Sequence, residues 1–326
     1  MSSAHPAEEL DYESAKTVKE EIRILEEQLA QAKARLKSQN TTDVVYRARY
    51  HHEENGPQQP PRISTTPSYN PTTHFHLLLA DSALPLGSFA FSSGLESYLA
   101  HTRPTSSFTT FLPLSIASYA STTLPFLLAA HRDPTALAAL DDALDAAVVC
   151  TVGKRASVAQ GRALLGIWER SFATGDGNVV DSAARRSVES YAKLLRTPLS
   201  KLEKEGKEEE DDDDRGSSTG GLPPVAAHLA PLFGAIAQIL GLSLAQTAYV
   251  FMLGHVKALV SAAVRANLLG PYAAQRVLAS WETQEMIRLA IGREWETKPE
   301  DAGQAVPVMD LWVGRHEVLY SRIFNS

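Results

Sequence analysis

Cysteine is nearly absent from this chain of 326 residues, and Cys150 is its only example. A single thiol excludes an internal disulfide and a zinc-ribbon site, and it is typical of a protein that folds in a reducing compartment. Positive charge is also in deficit, because 31 lysines and arginines are outnumbered by 38 aspartates and glutamates, for a net charge of -7. We therefore expect no binding of nucleic acid.

Apolar stretches such as 226–244 are broken by polar or helix-breaking residues. Residues 226–244 contain Pro231, Gln238, Gly241 and Ser243, which favours a buried core helix. The first residues are polar and acidic, unlike a secretory signal or a mitochondrial presequence. We expect a cytoplasmic protein that does not bind a membrane.

Catalytic and metal-binding motifs are missing from the sequence. The ten histidines are scattered, and neither H-E-x-x-H nor C-x-x-C occurs. Cys150 lies near Lys154 and Arg155, whose charge favours a thiolate, but a lone cysteine on an apolar helix is usually buried and inert. We predict no catalytic residue, no metal ligand and no tightly bound cofactor, so the protein is not expected to be an enzyme.

Residues 1–72 differ in composition from the rest of the chain. Helix-forming residues dominate about 10–39, and apolar side chains recur there with the 4-3-4-3-4 spacing of a coiled-coil seam. The seam is Val18, Ile22, Leu25, Leu29, Ala32 and Leu36. It covers only about three heptads, so a solvated helix and a self-associating arm both remain open. Residues 40–73 are rich in Pro, Gln, Asn, Thr and His, and they predict a disordered linker.

From residue 73 to 326 the pattern predicts one all-α domain, a helical bundle of about nine to ten helices. Alanine, leucine, serine and valine dominate, without the alternation of β-strands. Pro134 predicts a helix start. The predicted N-caps are Thr105, Ser106 and Asp181, and the predicted helix ends are Gly241, Gly270 and the cluster 175–177. The predicted helices are 74–80, 92–101, 106–130, 135–150, 153–174, 181–196, 225–240, 243–268 and 271–292.

An acidic block, 208–214, is followed by a Gly/Ser-rich run that ends at Gly221. Like charges at this density repel one another and stay solvated. We predict a disordered insert at about 200–222 between two helices of the bundle.

The segment 83–96 combines features that no regular element accommodates. Pro85 fixes φ, and Gly87 and Gly94 permit conformations that other residues avoid. Phe89 and Phe91 are too apolar for a solvated loop. We predict a buried, shaped loop that turns into a helix at about residue 92.

Polar residues are spaced through two apolar helices. One group is Lys154, Arg155, Gln160 and Arg162; the other is Lys257, Ser261, Arg265 and Gln275. The first three members of the second group recur every four residues, on one helix face. Such a stripe is either a solvated side or the wall of a groove or subunit interface.

The end of the chain, 309–324, is amphipathic and contains Trp312, Tyr320, Ile323 and Phe324. Chain ends fray unless something binds them, and Tyr, Trp and Arg commonly anchor interfaces. A tail at about 300–326 that docks on its own core and a tail that binds a partner are both open.

These segments together resemble the urease accessory protein F (UreF) family. The family's opening motif, Leu-Pro-x-Gly-Gly/Ser-Phe/Tyr followed by Ser-x-Gly-Leu-Glu, matches Leu84 to Glu96, and its closing motif, Arg-His-Glu-x-x-Tyr-Ser-Arg-Leu-Phe-x-Ser, matches Arg315 to Ser326. Weaker matches cover 154–165 and 260–275. The chain departs from the family pattern at 150–153 and 267–271.

The resemblance implies an all-α, dimeric, non-catalytic protein that joins a UreD/UreH-like scaffold and the GTPase UreG to deliver nickel to apo-urease. In this interpretation the assembled complex handles the nickel and the chain regulates GTP hydrolysis and metal transfer. A helical adaptor that self-associates through its N-terminal arm is the alternative. The residues assigned to partner binding or to the family's structural motifs are Pro85, Gly87, Phe89, Phe91, Ser92, Gly94, Glu96, Lys154, Arg162, Lys257, Ser261, Arg265, Gln275, Arg315, His316, Glu317, Tyr320, Ser321, Arg322, Ile323 and Phe324.

Overall fold

The computed structural model describes residues 71–102, 106–173, 183–197 and 225–325, all within one compact unit, Ser68–Ser326. The described residues form helices, turns and loops without a β-strand, which confirms the all-α class. The predicted N-terminal arm, almost all of the linker and the acidic insert lie outside the described residues.

Eleven α-helices make up the described part of the chain. They are α1 (Pro71–Ala80), α2 (Leu95–Thr102), α3 (Phe108–Arg132), α4 (Leu137–Ala147), α5 (Thr151–Ile167), α6 (Ala183–Arg196), α7 (Leu229–Ile239), α8 (Leu244–Arg265), α9 (Pro271–Ala279), α10 (Trp281–Glu294) and α11 (Val308–Arg315). A π-helical turn, Trp168–Phe172, extends α5, and short 3₁₀ turns occupy Ser88–Ala90, Pro134–Ala136, Pro299–Asp301 and His316–Val318.

The helix boundaries confirm some local predictions and correct others. Pro134 begins a turn that Asp133 caps by accepting a hydrogen bond from the Thr135 amide, and Gly241 follows α7 with φ 82°. The predicted helix 271–292 is wrong as one element, because Ser280 is extended and its hydroxyl caps α10.

The predictions for two other helix boundaries were also wrong. The N-cap of α3 is Ser107 instead of Ser106. Asn267, with φ 56°, ends α8, and the Leu268 amide donates back to the Ala263 carbonyl at 2.8 Å. Gly270 is extended and precedes α9, so it starts a helix where it was expected to end one.

Helix α7 occupies the centre of the bundle. All residues from Leu229 to Ala237 are buried, and α7 packs against α3 and α5. A Cβ on Gly234 would lie 2.2 Å from the Leu127 carbonyl oxygen of α3, so the two backbones approach as closely as only glycine allows. This contact sets the spacing of the core.

Two helices of the described ranges, α3 and α8, have the length and hydropathy of a membrane span. In each of them 67% of the apolar window is buried inside the protein. That degree of burial matches the packing of core helices, and the apolar faces contact other helices of the bundle.

Gly234→Ala should destabilise the fold by about 2–3 kcal/mol, because the methyl group overpacks the α3–α7 contact. Gly254→Ala is the matched control, since a Cβ there meets nothing within 4 Å and alanine is the better helix former, for a gain of about 0.5–1 kcal/mol. Urea unfolding of both variants measures the difference. Equal stability of the two variants would contradict the close approach of α3 and α7.

Candidate functional site

The loop before α2 is shaped by backbone conformations that favour glycine. Gly87 has φ 74° and Gly94 φ 86°, and a Cβ on Gly94 would lie 3.1 Å from the Val313 backbone nitrogen of α11. Ser92 is fully buried beneath the loop. The predicted helix begins at Leu95, so the loop presses directly against the C-terminal part of the chain.

The buried carboxylate of Glu96 joins the two ends of the domain. It accepts hydrogen bonds from the backbone amides of Ile323 at 2.6 Å and Phe324 at 3.2 Å, and its other partner is His316 Nε2 at 3.0 Å. Next to these contacts, the Asn325 amide donates to the Ala90 carbonyl at 2.8 Å. We call this arrangement the clasp.

Phe324 and Arg265 complete the clasp. The Phe324 ring is buried, and the Arg265 guanidinium lies 4.3 Å from its centroid, within cation–π range. The same guanidinium donates a hydrogen bond to the Phe89 carbonyl oxygen. Side chains from the opening motif, α8 and the chain end therefore meet at one place.

The clasp leaves other C-terminal side chains exposed. Tyr320 is fully exposed, and 62% of Ile323 and 75% of Val318 remain accessible. We call these three residues the tail face. Glu317 pairs with Arg155 and, at 3.5 Å, with Arg322, so the tail face lies next to surface charges.

The remaining predicted site residues are distributed over several surfaces. Lys154 pairs with Asp145 at 2.7 Å, and Lys257 donates to the Ala80 carbonyl at 2.7 Å. Arg162 is exposed. Phe91 and Ser261 are partly buried, and Pro85, Gln275, Arg315 and Ser321 are exposed.

A largely apolar cavity of about 350 Å³ lies behind the opening loop. Lys257 and Gln160 line it, whereas Lys154, Arg162 and Arg265 do not. Only some members of each predicted polar group therefore line the cavity. Sequence reasoning missed the cavity because residues from distant helices form its wall.

His255 and Tyr119 are stacked at the cavity, with ring centroids 3.9 Å apart. Burial lowers the pKa of His255 to about 3, and the hydrogen bond with Ser115 opposes this shift. Burial also raises the pKa of Tyr119 above its ordinary value. Both side chains are therefore neutral at neutral pH.

Among the described residues, no group of three or more His, Cys, Asp or Glu side chains is placed to hold a metal ion. Cys150 is a half-buried free thiol at the start of α5. Its sulfur is 4.0 Å from the position that a Cβ on Gly314 would occupy, which makes it a packing contact between α5 and α11.

Glu96→Gln should loosen the clasp, because an amide offers one acceptor oxygen where the carboxylate has two. Hydrogen bonds to a charged group contribute about 1.5–3 kcal/mol, so the Ile323 and Phe324 amides should exchange with solvent at least about tenfold faster. Hydrogen-exchange mass spectrometry measures this change. Glu317→Gln is the control, since exposed ion pairs contribute little; equal exchange in both variants would exclude the clasp.

His255 should make the fold sensitive to acid. The folded chain binds a proton there only near pH 3, whereas the ordinary pKa of histidine is 6.5, so the unfolded state binds more protons between these values. The contribution of His255 to the free energy of unfolding is complete above about pH 6.5. It is lost as pH falls, by up to about 1.4 kcal/mol per pH unit.

The test compares urea unfolding of the natural chain and His255→Gln between pH 7 and pH 4.5. The variant should show the shallower dependence on pH. The pKa of His131 is also lowered by burial, so only the difference between the two chains reports on His255. Identical slopes would contradict a neutral, buried His255.

Known proteins resemble this chain over most of its length. The UreF family model matches residues 103–282. An uncharacterized urease accessory protein UreF-like of Schizosaccharomyces pombe is 34% identical over 256 residues, which is 78% of this chain and 97% of the relative.

Plant and bacterial relatives extend the comparison. Urease accessory protein F of Oryza sativa subsp. japonica is 29% identical over 76% of this chain and 82% of its own. Urease accessory protein UreF of Paenarthrobacter aurescens is 30% identical over 76% of this chain and 95% of its own. The family model spans more than half of the 326 residues and the yeast protein matches almost end to end, so the chain belongs to the UreF family.

Proposed function

We propose that this chain is a urease accessory protein, a chaperone that has no catalytic part in urease maturation. Membership of the UreF family carries the proposal, because relatives in a yeast, a plant and a bacterium are all named as urease accessory proteins. In the finer form of the proposal, the chain acts in the cytoplasm as a homodimer. It binds a UreD/UreH-like accessory protein and a UreG-like GTPase.

The tail face is the proposed contact for the UreD/UreH-like protein. The clasp fixes the backbone of Ile323 through Glu96 while the Ile323 side chain stays exposed. A surface that is already ordered loses less conformational entropy when it binds, and tyrosine is a frequent interface anchor. Tyr320 and Ile323 therefore suit a partner with an apolar groove.

Nickel is the cargo of the proposed assembly, not a resident cofactor of this chain. Stable transition-metal sites in proteins use several converging N, O or S ligands, and the described residues provide no cluster of three such groups. In this proposal the assembled complex holds the ion during its delivery to apo-urease.

The GTPase surface is assigned to the exposed cations of α5. Arg265 is a poor probe of that surface, because its guanidinium contacts Phe89 and Phe324 within the clasp, and reversing its charge would release the tail. Arg162 is exposed and makes one long hydrogen bond, 3.4 Å, to the Ala226 carbonyl. A charge reversal at Arg162 therefore tests an effect on GTP hydrolysis with less damage to the fold than one at Arg265.

The tail face is best tested by point variants. Deletion from residue 309 would also remove Met309, which is buried, and Trp312, which packs against Tyr98 and Phe111. If such a deletion abolished binding, the cause could be either the missing tail face or the damaged core.

Tyr320→Ala and Ile323→Ser should each reduce co-purification with the UreD/UreH-like protein by about tenfold or more, since anchors of this kind contribute at least about 1.4–2 kcal/mol. Tyr272→Ala is the matched control, because this tyrosine is 88% exposed on α9. Restoration of urease activity in a host that lacks the gene provides the functional measurement. Normal binding by both tail variants, or equal loss in the control, would refute the assignment.

A further inference from the structure

Three side chains form a hydrogen-bonded chain that the proposed function does not use. Ser157 Oγ on α5 lies 3.0 Å from His228 Nδ1, and His228 Nε2 lies 3.1 Å from Asp145 Oδ1 on α4. Lys154 holds the other oxygen of Asp145 at 2.7 Å. The His228 ring is fully buried, so its two nitrogens face only these partners.

The ionisation of Asp145 determines which nitrogen of His228 donates a hydrogen bond. Burial acts to raise the pKa of Asp145, but the hydrogen bonds and charges of Lys154 and His228 lower it overall. An ionised carboxylate only accepts hydrogen bonds, so Nε2 of His228 carries the proton. In the neutral form of the ring, the lone pair of Nδ1 then faces the hydroxyl of Ser157, which is the polarity of a nucleophile, base and acid relay.

The serine oxygen also lies at the start of a helix. The Leu229 amide, in the first turn of α7, donates to Ser157 Oγ at 3.3 Å. First-turn amides lack partners within their helix and stabilise negative charge. Ser157 and Leu229 both line the 350 Å³ cavity, so the serine borders the space that a bound molecule would occupy.

The backbone that holds the Ser157–His228–Asp145 hydrogen bonds is rigid. A Cβ on Gly161 would lie 2.1 Å from the Ala227 carbonyl oxygen, so α5 and the segment 225–228 before α7 are in direct backbone contact. Asp141 accepts hydrogen bonds from the amides of residues 226–228 at 2.6–3.1 Å. His228 is therefore fixed relative to Ser157, as a preorganised site requires.

A second serine–histidine pair in the same cavity provides a comparison. Ser115 Oγ lies 3.0 Å from His255 Nε2, but the ring of His255 stacks on Tyr119, and its described hydrogen bonds include none with a carboxylate. Without an acid behind it, this imidazole gains little from taking a proton. Only the Ser157 pair has the complete relay.

We propose that Ser157 is a nucleophile toward carboxylic esters with a small apolar acyl group. Its oxygen forms a bond to the acyl carbon as the ester C–O bond breaks, His228 Nδ1 takes the serine proton, and the departing alcohol receives it. Water then attacks the acyl-serine, His228 takes a proton from that water and returns it to Ser157, and the carboxylic acid is released. The predominantly apolar wall of the cavity selects the acyl group.

The test uses the purified full chain and a fluorophosphonate probe, which forms a bond to activated serines with loss of fluoride. Peptide mapping should place one adduct on Ser157 and none on Ser115. Asp145→Asn should slow labelling at least tenfold, whereas Ser118→Ala, which changes another serine of the cavity lining, should leave the rate unchanged. Hydrolysis of p-nitrophenyl acetate and butyrate should be lost in Ser157→Ala.

The mapping is made on the natural chain, so its result does not depend on the folding of any variant. An unlabelled Ser157 in a chain whose circular dichroism shows intact helices would overturn the proposal. An adduct on Ser115, or labelling of Ser157 at the same rate in Asp145→Asn, would overturn it as well. None of these results depends on the role in urease maturation.

Discussion

The Asp141 carboxylate is the interaction on which most of the described structure depends. Its two oxygens take up three successive backbone amides just before α7, where Ala227 has φ 74°. Buried amides without partners are costly, and a single ionised group satisfies all three. The central helix therefore begins at a fixed point and angle, and α3 and α5 pack against it.

Glu96 makes a similar set of hydrogen bonds elsewhere in the bundle. A buried carboxylate again accepts backbone amides, but here the amides belong to the end of the chain. The clasp orders a backbone whose side chains still face solvent, which is how a terminal segment becomes a defined binding surface. In the proposed accessory role, rigidity and exposure of the same residues are both needed.

Local sequence signals predicted the helices well because capping residues and apolar spacing act over a few positions. They failed at Ser280, since a serine inside a helix and a serine that caps the next one look alike without tertiary contacts. The opening and closing motifs were both visible, but their contact was not. Glu96 and Ile323 are 227 positions apart, and backbone donors leave no signature in side chains. The sequence did not reveal the relay of Ser157, His228 and Asp145 for the same reason, because three separate elements contribute to it.

The clasp also has a consequence for biosynthesis. A ribosome makes the chain from its N-terminus, and domains generally fold as units while synthesis proceeds. Glu96 emerges first, and its partners are added 220 to 228 residues later. The carboxylate stays solvated or provisionally paired until those residues have left the ribosome. A product that stops before residue 316 would lack the clasp, so an ordered tail face reports that synthesis has passed these residues.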